Sequence, residues 1–97
     1  MRRVRRVLIA LRPRAYREAL AQTIKRARPL VAVHVLDPDI LDYETRHLEP
    51  QVVICEQTTP AVREYAICWV ETETVPDIAL AELISVVDRA EVLARTV

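Results

Sequence analysis

PQVVICEQTTP, Pro50 to Pro60, runs through four apolar residues, Val52 to Cys55, then breaks into a charge, a polar loop and a proline. A short continuous apolar run bounded in this way is the pattern of a strand buried on both faces of a parallel sheet. Such a strand delivers whatever follows it to the carboxyl edge of the sheet, where open α/β folds bind their ligands. The group delivered here is Glu56.

Outward from this segment, RVLIAL, Arg6 to Leu11, is a second compact apolar run suited to a central strand. Pro13 fits a helix start, and Ala15, Tyr16, Ala19, Leu20, Thr23, Ile24 and Ala27 recur at helical spacing until Pro29 stops the helix. Arg14, Arg17, Glu18, Lys25 and Arg28 fall on its opposite face. Val31 to Leu36 predicts another strand, and Asp37-Pro38 joins a capping residue to a proline at the first helical position. The helix it opens extends to Leu48, phased by Ile40, Leu41, Glu44 and Leu48. Thr58-Thr59-Pro60 starts a helical turn through Glu64, and Ala66 to Thr72 predicts a fourth strand. Pro76-Asp77 then opens a final helix, with Leu80, Leu83, Ile84, Val87 and Ala90 as a core stripe continuing towards Leu93.

Alternating strand and helix signals predict a single domain over residues 1–97, an α/β three-layer sandwich with a mostly parallel sheet in the order 2-1-3-4. The connection from the third strand to the fourth is barely the dozen residues that a parallel crossover takes. The pattern therefore leaves the direction of the fourth strand open.

The strand ending in Glu56, with Pro60 four residues on, resembles the phospho-acceptor strand of response-regulator receiver domains. There an aspartate ends the third strand and a proline follows at the same distance. The opening RVLIALRPRAYREAL, Arg6 to Leu20, is similar to receiver openings of the type RVLIVDDHPLVREGL, sharing the frame through Arg17, Glu18 and Leu20. The resemblance spans residues 6–60 in register and implies a receiver or flavodoxin-like fold, shortened by one strand–helix unit.

It also implies a degenerate phospho-acceptor site. Glu56 stands where the aspartate accepts the phosphoryl group, and Leu11 and Arg12 stand where two acids bind magnesium. Magnesium needs a cluster of hard oxygen ligands, and an arginine there supplies repulsion instead. The family's lysine has no counterpart, since the only Lys is Lys25, late in the first helix, and the pattern assigns no particular Ser or Thr to the switch position. What is left is a candidate ion pair, with Arg12 or Arg14 neutralising Glu56 at the sheet edge. The alternative is that these charges are separately solvated.

Composition narrows the remaining classes. Glycine is absent from all 97 residues, so neither a Walker phosphate loop nor a dinucleotide fingerprint is present, and Asp37 reads as a helix cap rather than a ribose contact. His34, His47, Cys55 and Cys68 show no paired metal-ligand spacing, so no metal is assigned. The two cysteines lie in apolar runs and read as reduced, buried thiols. Ser85, the single serine, sits inside the last helix, away from any nucleophile elbow. The start MRRVRRVLIALRPR shares the outline of a signal peptide, but arginine resumes too soon, and no apolar run reaches a membrane span. A cytoplasmic location is expected.

Residues 1–28 hold ten Lys or Arg and one acid, a net +9, and residues 29–97 hold four Arg and thirteen acids, a net −9. Charges that cancel overall weaken the repulsion that keeps copies apart. The sequence thus predicts a non-enzymatic, phosphorylation-independent interaction or assembly module without cofactor. It is expected to form a homodimer or bind a protein partner, with Trp69 on the fourth strand as a candidate interface anchor. Two alternatives stand beside it. A basic-faced nucleic-acid-binding protein is disfavoured because the arginines at 2, 3, 5 and 6 lack a reading helix or an aromatic platform. A small enzyme using Glu56 as general base needs a concave pocket around that residue.

Overall fold

Residues 6–12, 14–71 and 80–95 are described by the computed structural model, the last segment with side chains at 84–90, 92 and 93. Pro13, the Pro76-Asp77 helix start, Thr72, the side chains of Leu80 and Leu83, and the arginines at 2, 3 and 5 lie outside the described residues. The strands are β1 (Arg6–Ala10), β2 (Ala32–Val35), β3 (Val52–Cys55) and β4 (Cys68–Glu71). The helices are α1 (Arg14–Ala27), α2 (Leu41–Leu48), α3 (Pro60–Tyr65) and α4 (Leu80–Arg95), with a 3-10 turn at Pro38–Ile40 leading into α2.

All four strands are parallel in the order β2-β1-β3-β4. The fourth strand's direction is thereby settled, since the twelve residues from Glu56 to Ile67 accommodate a crossover built on the short α3. β1 and β3 occupy the middle, which is why both are continuous apolar runs. Val7, Leu8, Ile9 and Ala10 and all of Val52 to Cys55 are fully buried. β2 and β4 form the edges and alternate between covered and exposed positions.

Period-two alternation divides the core. Val7, Ile9, Leu11, Val52 and Ile54 pack with Leu20 and Ile24 of α1 and Val87 and Ala90 of α4 on one face. Leu8, Ala10, Val53 and Cys55 pack with Leu41 of α2 and Val62 of α3 on the other. The sheet order explains this division. The chain leaves β1 in one direction through α1 and returns past it through α2, and crossovers of one hand running in opposite directions put their helices on opposite faces.

Two phases differ from the periodicity. On α1, Ala15 and Ala19 are exposed while Arg17, and Arg28 just past the helix end, are half-buried. Alanine is small enough to tolerate either side, and arginine lays its apolar stem along the core while its head reaches polar partners. At the end of the 3-10 turn Ile40 is 48% exposed, and on α2 Thr45 takes the inward position beside Leu41. The 3-10 turn rotates the helix entry away from the phase that Ile40 suggests.

Candidate functional site at the sheet edge

β1 and β3 are neighbours in the sheet, yet the chain leaves them in opposite directions. The crevice between their carboxyl ends is the topological switch point of the fold. Arg12 and Glu56 sit on its two sides. Glu56 Oε1 accepts the backbone N–H of Arg12 at 3.2 Å and lies 3.8 Å from Arg12 Nη1. The carboxylate thus satisfies an amide at the end of β1 that has no ladder partner there, and holds the guanidinium over the same edge.

The other end of that guanidinium turns towards the loop after β2. Arg12 Nη2 donates to Asp39 Oδ1 at 3.0 Å and lies 4.0 Å from Asp37 Oδ1. Asp37 also caps the 3-10 turn, accepting the Asp39 N–H at 2.9 Å, so its position is fixed locally. One cation is therefore surrounded by three carboxylates from two loops. Arg12 and Asp39 are largely exposed and Glu56 is half-buried, so solvent screens the individual pairs.

Arg12, Asp39 and Glu56 line an open cavity of about 350 Å³ together with Pro38, Leu41 and a wall of three consecutive residues, Gln57, Thr58 and Thr59. The threonines are already engaged. Thr59 caps α3 by accepting the Val62 N–H at 3.3 Å, and Thr58 Oγ1 accepts two bonds from Arg63. Asp42 of α2 braces the same wall. It accepts the Ala61 N–H at 3.1 Å and pairs with Arg46, and these bonds hold its carboxyl below the ordinary range.

Of the other residues singled out in the sequence, Leu11 is fully buried in the α1–α4 core, its carbonyl accepting from Arg17 Nη1 at 3.2 Å. Arg14 bonds Glu18 one turn along its own helix at 2.9 Å, so Arg12 is the arginine at Glu56. Lys25 is exposed near the end of α1. Trp69 lies on the edge strand β4, 40% exposed, beside an open hollow of about 260 Å³ formed with Cys68, Val86 and Arg89. Burial, reinforced by Glu71 and Glu56, pushes the Cys55 thiol up to about 12, and burial raises that of Cys68. Among the described residues, no three His, Cys, Asp or Glu side chains are gathered so as to hold a metal ion, and no helix is long and apolar enough to cross a membrane.

Asp39 is the closest acid to Arg12, and no motif in the sequence marks it. The available signal is its place two residues after Asp37 at the end of β2, on the edge that also receives Arg12 and Glu56. Protein-family models, curated proteins and solved structures yield no match to this chain.

Proposed function

We propose that the chain is a phosphorylation-independent pseudo-receiver, a non-enzymatic, cytoplasmic assembly module whose sheet edge carries its own cation. The observation that carries this reading is Arg12, bonded to Asp39 at 3.0 Å and facing Glu56 at 3.8 Å, in the place where a receiver gathers acids around magnesium. A guanidinium amid these carboxylates meets the charge demand a divalent ion would meet, and repels such an ion. Glu56 has one oxygen already committed to the Arg12 amide, which supports a structural task over a general base.

Its partner in this reading is a second copy or another protein, met first at the β4–α4 edge. Trp69 is 40% exposed on the edge strand β4, and Val92 and Leu93 are 58% and 43% exposed on α4; an exposed tryptophan on an edge strand is the kind of anchor that interfaces use.

The test is to treat the protein with an acyl-phosphate donor, and separately with beryllofluoride and magnesium. No mass change and no change in Trp69 fluorescence are expected. A stoichiometric phosphoryl adduct on Glu56, or a magnesium-dependent spectral change, sinks the reading.

A further inference from the structure

The two helical layers carry opposite charge on opposite faces of the sheet. From Arg14 to Arg28, α1 and its end hold five basic residues and one acid, a net +4. On the other face, α2 with its end at Glu49 and α3 hold four acids and two arginines, a net −2, while Asp37, Asp39 and Glu56 gather around Arg12 at the sheet edge. Several of these charges are paired within the chain, as in Arg14–Glu18, Arg28–Asp88 and Arg46 with Asp42 and Glu64. Lys25 and Arg26 on α1, and Glu44 and Glu49 at α2, belong to none of those pairs.

The shapes of the two faces also match. Ala15 and Ala19, one turn apart and exposed, make a low lane along the outside of α1. On the outside of α2, Tyr43 is 69% exposed and stacks on His47 with ring centroids 6.3 Å apart, forming a knob next to Glu44. Small side chains on one helix let another approach closely, and an exposed tyrosine supplies apolar area at little entropic cost.

A two-fold contact sets a patch against itself. Through α1 it would oppose positive to positive, and through α2–α3 negative to negative. Only a heterologous contact, the α1 face of one copy against the α2–α3 face of the next, satisfies both. Because these faces lie on opposite sides of the sheet, each copy leaves one free for a further neighbour.

We propose that copies of this chain add head to tail through that contact, with Tyr43 of one seated on the Ala15–Ala19 lane of the next and Lys25 and Arg26 facing Glu44 and Glu49. The inference rests on the chain being an assembly module and supplies a geometry for growth beyond a pair.

Light scattering or sedimentation of the full chain tests it across concentration, at low salt and at about 1 M salt, where the screening length is about 3 Å. The mean mass should exceed a pair and rise with concentration at low salt, and fall back to a pair or less at high salt. K25E/R26E and E44K/E49K should each weaken growth on the order of tenfold or more. Mixed in equal amounts the two should associate, because the intact α1 of one meets the intact acidic layer of the other. Tyr43→Ala, which changes no charge and lies on an exposed surface, should also lose growth while its circular dichroism is kept. Mass independent of salt, wild-type growth by either charge variant alone, or a mixture that stays separate overturns the proposal. A chain that accepts a phosphoryl group yet grows through this contact would sink the pseudo-receiver reading and leave the contact standing.

Discussion

Arg28 and Asp88 meet in a two-point contact, Nε to Oδ1 at 2.8 Å and Nη2 to Oδ2 at 2.6 Å, joining the end of α1 to the middle of α4. Sixty residues of chain separate them. The planar fork of the guanidinium matches a carboxylate in this way and a lysine ammonium does not. The pair ties the last helix to the α1 face of the sheet.

That contact gives stability a defined pH dependence. The Arg28 hydrogen bonds hold the Asp88 carboxyl below its ordinary value of 3.8, so its contribution is complete above that value and is lost as the pH falls through the lower folded-state value. Both side chains are partly exposed, so Asp88→Asn should cost about 1 kcal/mol at neutral pH and less in acid. Urea denaturation at neutral pH and near pH 3 checks this, and an equal cost at both would show that the ion pair contributes nothing.

Glu56→Ala removes the acceptor for the Arg12 amide and one of the carboxylates around its guanidinium. A loss of about 1–2 kcal/mol is expected, against a few tenths for Glu18→Ala, whose partner Arg14 lies one turn away on an exposed helix face. Equal effects of the two substitutions would reduce Glu56 to an ordinary loop acid.

Thiol chemistry probes the core directly. The thiolate is the reactive form, and a Cys55 thiol pushed up to about 12 supplies almost none at neutral pH. Iodoacetamide should leave Cys55 unmodified in the native protein and label it after denaturation, with Cys68 reacting slowly in the native state. Equal native and denatured labelling rates at Cys55 would place it outside a closed core.

Glu49 closes α2 with φ 47° and ψ 59°, its N–H bonded to the Thr45 carbonyl. This left-handed position usually belongs to glycine, because a Cβ there crowds the backbone. Glu49→Gly should therefore stabilise the chain by about 0.5–1 kcal/mol, read as a raised midpoint of thermal unfolding. A lowered midpoint would mean that the Glu49 side chain contributes more than its backbone conformation costs.

How far the structure can be read from sequence depends on how sharply a segment is bounded. β3 is legible to the residue because Gln51 and Glu56 close off four apolar side chains, and Thr59-Pro60 marks the start of α3 by its own capping chemistry. The direction of β4 was not legible, since a six-residue helix in a twelve-residue connection sits at the limit of a crossover. The α1 phase misleads because alanine is indifferent to burial and arginine is amphipathic. At the sheet edge, topology brings Arg12 and Glu56 together, but the choice of Arg12 over Arg14 depends on where the helix begins. The reach of Arg12 to Asp39 depends on a 3-10 turn that no periodicity announces.

A metal-bound site has a dissociation constant, and its occupancy follows the ion supply around it. The Arg12 guanidinium is covalently part of the chain, so the charge it brings to Asp37, Asp39 and Glu56 cannot be diluted or chelated away. The cation of this edge is consequently in place as soon as the chain folds, whatever ions surround it. A molecule that competes for those carboxylates, rather than a change in metal supply, is the kind of agent that would displace it.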